Sequence, residues 1–461
     1  MRIIIIGATT AGIGLAEYLV GSGHAVTLID TPSEELAQIG NRLDLRVVQG
    51  MPSRPSVLRS AGAENTELLV ATSNIDEINM AACSIAASLF QIPRKIARIR
   101  TPDYLTEADE IFGPHAIPID HIIAPEHLIA DFIMDLIDLP GALSVSNYCS
   151  GRLVIAAAKC SRGGKLLGQK VSKLEDFGAK VSVLALYRNE RPVRDFLNAE
   201  LSEGDEIYFC CEKARSLSVL GGILPIDQCV KTITIAGGSH ISDELARRLS
   251  RRFRVKLIES DPQRAKRVAD SLQDTEVEIF CSNPSDINFI LEEHIYDSDY
   301  FIAATNDDET NIISSFMIKR TNHAKTFTII RNESYLTLAS SREIDTIVSP
   351  KDATISELLS NIRQDGLEKT YLFRHGMAEG VELAIRGSRL SSRVIGKKVD
   401  DINLPKGVTL GLITRGNKVL KIDKDLRFED GDHLIAFLTD HKQLRHLTKL
   451  FRPRSFWIPS W

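Results

Sequence analysis

The residues best placed to do chemistry lie near the start of the chain, in "IIIIGATTAGIGLAEYL" from Ile3 to Leu19. A β-branched run, a glycine turn and a helical pattern make a strand–loop–helix. That unit presents backbone N–H groups and a helix N-terminus to a phosphate. In such a loop the first glycine permits the turn, the second lets backbone approach a pyrophosphate, and the third packs helix on strand. Gly7 and Gly12 fill the first and third places, and Thr9 replaces the second. Thr9 puts a Cβ where backbone would come close, but its hydroxyl can itself donate to a phosphate oxygen. The spacing also mimics a P-loop, yet Ile13-Gly14 stand where Lys-Ser/Thr is required, which excludes a Walker-type triphosphatase. Asp30 ends the second predicted strand. An acid there bonds the ribose hydroxyls of adenosine and repels a 2′-phosphate, favouring NAD(H) or an adenine nucleotide over NADP.

Thr72, Ser73, Asn74, Asp76 and Glu77 follow the fourth predicted strand, at the edge where open α/β sheets bind ligands. The same residues suit a helix start with acids in its first turn. Arg98 and Arg100 share one face of the next strand. An arginine at a buried strand end requires a partner, either a phosphate or an acid such as Asp76.

These groups are positioned by a chain that is written twice. "RIIIIGATTAGIGLAEYL" returns as "TITIAGGSHISDELARRL", "AVTLID" as "RVKLIE", "LLVATSNIDEIN" as "YFIAATNDDETN", and "KIARIRTPDY" as "TFTIIRNESY". The later "GQKVSKL" and "GDEIYFCCE" return as "GKKVDDI" and "GDHLIAFLT". Continuous apolar strands alternating with helices predict, in the first part of each half, a parallel sheet buried on both faces. A helix opened by Pro125 or Pro350 follows. After Pro125, Leu128, Ile129, Phe132, Ile133, Leu136 and Ile137 form one face, read as intramolecular core. The remainder of each half reads as a small α+β unit. The expected segments are 1–124, helix 125–141 and 142–228, then 231–348, helix 349–366 and 367–453, with a tail at 454–461.

The second copy departs from the first. Its loop reads Gly237-Gly238-Ser239-His240-Ile241-Ser242, with serine replacing the second and third glycines. Asp243 and Glu244 fall at the helix start, where they satisfy the dipole and repel pyrophosphate. Ile329 stands opposite Arg98, and Glu259 alone keeps the ribose position. This copy is expected to be mainly scaffold, with His240 an ordinary loop histidine.

Composition narrows the class. With 43% hydrophobic and 25% charged residues the chain is that of a soluble globular protein, and its net charge of −5 gives no reason to expect nucleic acid. No apolar run reaches the roughly 20 residues of a membrane span. The first strand begins at Arg2-Ile3, leaving no room for a signal peptide in this sequence. Seven cysteines, none in a C-x-x-C pair, read as buried reduced thiols, with no metal site. Trp457 and Trp461 lie in the tail, read as a frayed terminus.

Two such halves, with "LDLRVVQG", "ARIRTPDY", "TNDDETNI" and "LARRLSRRFRVKLIE", resemble TrkA-type potassium-uptake subunits over essentially the whole chain. The resemblance implies a fold of two tandem Rossmann-like parallel-sheet domains, each followed by a small α+β C-terminal domain. Together these make two regulator-of-potassium-conductance (RCK) units per chain. It implies a homo-oligomeric ring in the cytoplasm, peripheral on the inner face of the plasma membrane beneath a Trk-type pore. NAD(H), ATP or ADP would bias the ring. The implied contacts are Gly7, Ala8, Thr9, Thr10, Ala11, Asp30, Ser73, Asn74 and Arg98. In the second copy they are Ser239, His240, Ile241, Ser242, Asp243 and Glu259. No catalytic residue is implied. The rival reading, an NAD-dependent oxidoreductase, requires a substrate domain with a general acid or base. The first α+β unit, from Gly151 to Gln228, has no histidine. A nucleotide-binding transcription factor lacks a basic reading element.

Overall fold

The computed structural model describes residues 1–113, 115–178, 180–226, 230–321, 324–332, 334–336, 344–362 and 366–452. The tail at 454–461, with Trp457 and Trp461, lies outside the described residues, as do Gln228 and Cys229.

The first Rossmann-like domain is built on a parallel sheet of β1 (Arg2–Ile6), β2 (Ala25–Asp30), β3 (Arg46–Gln49), β4 (Leu68–Ala71), β5 (Arg94–Arg98) and β6 (His121–Ile123). Their order is β3-β2-β1-β4-β5-β6, with every neighbouring pair parallel. The chain reverses direction across the sheet between β1 and β4, which opens a crevice at their carboxyl ends. Strand interiors such as Ile3–Ile6 and Leu68–Ala71 are buried throughout, as helices on both faces require. The second copy repeats the sheet. Its strands Thr232–Ala236, Arg254–Glu259, Glu278–Cys281, Tyr300–Ala303, Lys325–Ile329 and Thr346–Val348 take the same order. The two C-terminal sheets, each five-stranded, also share one strand order.

The compact units do not follow the halves of the sequence. One comprises residues 1–125, 148–151 and 351–461, the other 126–147 and 152–350. In the first unit, Gly14 on the helix Thr10–Gly21 lies so close to Lys351 and Ile355 that a Cβ would overlap both. The Tyr18 hydroxyl donates to Glu379 Oε2 at 2.9 Å, and Arg94 donates to the carbonyls of Asn361 and Ile362. In the second unit, the helix Pro125–Asp138 buries Ile129, Ile133, Leu136 and Ile137 in one core with Leu245, Ala246 and Leu249. Phe132 packs on its border. Arg248 pairs with Asp131, and Arg252 with Asp138 at 2.8 Å. The apolar stripe is therefore intramolecular core, and it packs with the second Rossmann-like sheet.

Among the described residues no helix is long and apolar enough to cross a membrane. No cluster of metal-ligating side chains occurs among them. Cys83, Cys149, Cys160, Cys210 and Cys211 are buried and in no disulfide among the described residues, while Cys281 is exposed. Burial pushes the Cys83 and Cys211 thiols up to about 12, so neither forms a thiolate at neutral pH.

Candidate functional site

Each crevice is shaped by a glycine that no other residue can replace without strain. Gly7 has φ +94°, and a Cβ on it would come within 2.7 Å of the Ser73 nitrogen. Gly237 repeats this, with φ +105° and Thr305 in the place of Ser73. Gly12 packs against the Gly7 carbonyl and the Thr72 hydroxyl, leaving no room for a Cβ. Ser242 occupies that position in the second domain, where Ala304 replaces Thr72 and frees the space of a hydroxyl.

The missing middle glycine has a structural reason. Thr9 is the N-cap of the helix Thr10–Gly21: its hydroxyl accepts from the Gly12 N–H at 3.2 Å and donates to the Thr72 carbonyl at 3.2 Å. Ser239 does the same, accepting from the Ser242 N–H at 3.3 Å and donating to the Ala304 carbonyl at 3.0 Å. This corrects the expectation for Thr9. Its proton is held by the Thr72 carbonyl, so the hydroxyl stabilises the loop and is not available to donate to a phosphate oxygen. Ala8 and Thr9 are half-buried, Thr10 is exposed and Ala11 is buried beneath the loop. His240 is exposed and Ile241 buried.

Asp30 lies at the crevice, accepting from the Ala8 N–H at 2.6 Å through Oδ2 and from the Thr31 N–H at 2.6 Å through Oδ1. Glu259 makes the corresponding bond to the Gly238 N–H at 2.6 Å. Burial raises the Glu259 carboxyl. The Asp261 and Gly238 N–H bonds and the Arg264 guanidinium outweigh it and hold the group below the ordinary carboxylate value.

On the other side of the crevice, Arg98 donates to the Ser73 carbonyl at 2.9 Å and to Asn74 Oδ1 at 2.6 Å. Asp76 Oδ2 is taken by the Arg100 and Thr101 N–H groups, each at 2.9 Å, and by the Thr101 hydroxyl. Neutral oxygens of the β4 loop thus hold one end of the Arg98 guanidinium, and Asp76 Oδ2 is bound by the chain that follows β5. The second domain does not lack its arginine. Arg331 donates to the Thr305 carbonyl at 2.7 Å, the counterpart of the Arg98–Ser73 bond. It starts two residues further along the chain than Ile329 and reaches back.

Asp243 and Glu244, expected to repel pyrophosphate, have partners on their own side of the helix start. Glu244 is bonded to Arg248 at 2.6 Å and lies 3.9 Å from His127, while Asp243 Oδ2 accepts from the Ser271 hydroxyl at 3.0 Å. Neither lines the crevice. That crevice is open, about 330 Å³, and is lined by Gly237, Gly238, Ser239, Glu259, Arg264 and Asp307 among others. Its volume falls in the range of small-molecule sites.

Sequence reading missed Asn79 and Asn311. Buried Asn79 accepts from the Ser73 N–H at 3.0 Å and donates to the carbonyls of Ser73 and Arg98 at 3.1 and 2.8 Å. Asn311 repeats every bond with Thr305 and Ile329. Each asparagine fixes the β4-side loop to the next strand. The available signal was their recurrence in "NIDEIN" and "NDDETN".

The fold and the paired loop–acid crevices define a tandem α/β protein with the architecture of a nucleotide-binding domain in each copy. The TrkA-N domain model matches residues 3–125 and 233–350, and the TrkA-C domain model matches 389–452. The chain is 38% identical over 460 residues to the Trk system potassium uptake protein TrkA of Haemophilus influenzae, covering 99% of this chain and 100% of that one. Identity and coverage are the same for the protein of that name from Vibrio alginolyticus. The chain belongs to the TrkA family. Among solved structures it resembles the crystal structure of the GsuK RCK domain, with TM-score 0.60 and 15% identity over 98% of this chain and 94% of that one. A structure of the GsuK channel bound to NAD is similar at TM-score 0.61 and 15% identity, over 98% and 78%. These last two establish the fold.

Proposed function

We propose that the chain is a non-enzymatic, nucleotide-binding regulatory subunit of a Trk-type potassium uptake system. It assembles as a homo-oligomeric ring on the cytoplasmic face of the membrane, beneath a Trk-type pore. The observation that carries this reading is the crevice at the β1/β4 switch point, repeated in both Rossmann-like domains of a chain of the TrkA family. Each crevice has a positive-φ glycine, a helix N-terminus and a strand-end acid bonded to the loop. The NAD-bound channel of the same fold supports NAD(H) as a ligand, with ATP and ADP as further candidates. In the first domain the assigned contacts are Gly7 to Ala11, Asp30, Ser73, Asn74 and Arg98.

The mechanism is a shift of population. A nucleotide acts only through its different affinity for two ring shapes. One site supplies about 1–3 kcal/mol of coupling, whereas a complete swing requires about 5.5 kcal/mol. Several sites must therefore act together, which a ring with two crevices per chain provides. Titration calorimetry of the purified chain with NADH, NAD, ATP and ADP tests the reading. Saturable binding without NADH oxidation or ATP hydrolysis is expected. Absence of binding, or turnover on the order of 1 s⁻¹ as in ordinary enzymes, overturns it.

A further inference from the structure

The two strand-end acids are in different chemical states. Asp30 accepts three bonds from its own loops, from the Ala8 N–H and from the N–H and hydroxyl of Thr31. Glu259 accepts four: the Gly238 N–H at 2.6 Å, the Asp261 N–H at 2.8 Å, Arg264 Nη2 at 2.9 Å and the Ser260 hydroxyl at 3.3 Å. Each carboxylate oxygen offers about two lone-pair sites; Oε1 takes three of these donors and is full, while Oε2 takes only the Gly238 N–H. The Glu259 side chain is 5% exposed, whereas that of Arg264 is 44% exposed and lines the crevice. At the place of Arg264 the first half of the sequence has Glu35.

A ribose diol binds a strand-end acid by donating to it. Glu259 Oε1 has no acceptor to give unless Arg264 leaves, and Oε2 is bonded to the Gly238 N–H in a side chain that is only 5% exposed. The same end of the crevice instead presents donors: the remaining N–H groups of the Arg264 guanidinium and the amide of Asn283. The charge of Glu259 is offset by its ion pair, so an added phosphate meets no net repulsion from the pair. We propose that Arg264 makes the second Rossmann-like domain selective for an adenine nucleotide carrying a 2′-phosphate, while Asp30 makes the first selective for a free ribose diol. Glu259 is then a positioning residue, which holds the guanidinium fork at the phosphate subsite. The inference rests on the nucleotide-binding reading above.

The test uses the full chain carrying Asp30→Asn, titrated with NADPH and NADH. NADPH is expected to bind the tighter of the two. Adding Arg264→Ala removes a charged hydrogen-bond donor and should weaken NADPH by roughly 10–150-fold, abolishing the preference. Arg264→Lys keeps the charge without the planar fork and should retain part of it. Thermal melting without ligand separates loss of fold from loss of recognition, because the preference for NADPH over NADH is read on protein that remains folded. Equal affinities for NADPH and NADH in the Asp30→Asn chain, or a preference indifferent to Arg264→Ala, overturn the proposal. If unmodified chain binds NADH or ATP while NADPH binds nowhere, this inference alone fails. If no nucleotide binds, the proposed function fails with it.

Discussion

Replacing Asp30 by asparagine isolates the role of one charge. The amide oxygen of asparagine can still accept the Ala8 N–H, which Asp30 now holds at 2.6 Å, so the loop retains its main tether. What is lost is the anionic acceptor that a ribose diol would use. Losing a charged hydrogen bond costs about 1.5–3 kcal/mol, which is roughly 10–150-fold in affinity. Glu259→Gln alters a buried group held by four donors of the protein itself, so its effect should appear in stability rather than in binding of NADH. Calorimetry with NADH, alongside thermal melting, measures both quantities on both variants. The expected pattern is a large affinity loss with little change in melting for Asp30→Asn, and the converse for Glu259→Gln. Equal affinity losses from the two substitutions would refute the argument that the two crevices use their acids differently.

Two further outcomes follow from the geometry. Asn79→Ala leaves the buried Ser73 N–H and Arg98 carbonyl without their partner and should destabilise the first unit by at least about 1–3 kcal/mol in urea unfolding; Asn311→Ala should do the same in the second, and unchanged midpoints would contradict the assignment. Because the folded Glu259 carboxyl is held below its ordinary value of 4.5, its stabilisation is complete above that pH and is lost as pH falls through the folded value; acid unfolding of the second unit should be less steep in Glu259→Gln, and identical acid profiles would count against it.

Much of this architecture was legible in the sequence because duplication gives each element a second reading. The parallel sheets, the glycine turns and the strand-end acids recur at matching places, and their physical requirements are local. The partner of each proline-opened helix was not legible. Both helices carry an apolar stripe, and nothing in the stripe after Pro125 names the sheet it covers. Contacts between residues distant in sequence, among them Arg248–Asp131 and Arg252–Asp138, distinguish the second Rossmann-like sheet. The arginine of the second crevice was missed because alignment compares positions, whereas a long side chain can start two residues later and reach the same carbonyl. The partners of Asp243 and Glu244 were not legible for a related reason. A carboxylate at a helix start acts on a loop only if no closer partner claims it, and Ser271 and Arg248 claim these.

In the proposed function, nucleotide occupancy in these crevices controls a potassium pore without turnover. This is tested most directly by potassium flux into vesicles containing a Trk-type pore, with the chain added from the cytoplasmic side and nucleotide varied. Flux should change saturably with NADH, ATP or ADP, and the response to NADH should shift to higher concentration with Asp30→Asn by the same factor as the calorimetric affinity. A flux that ignores nucleotide while the chain is bound to the pore, or a response unaltered by Asp30→Asn, would contradict the account.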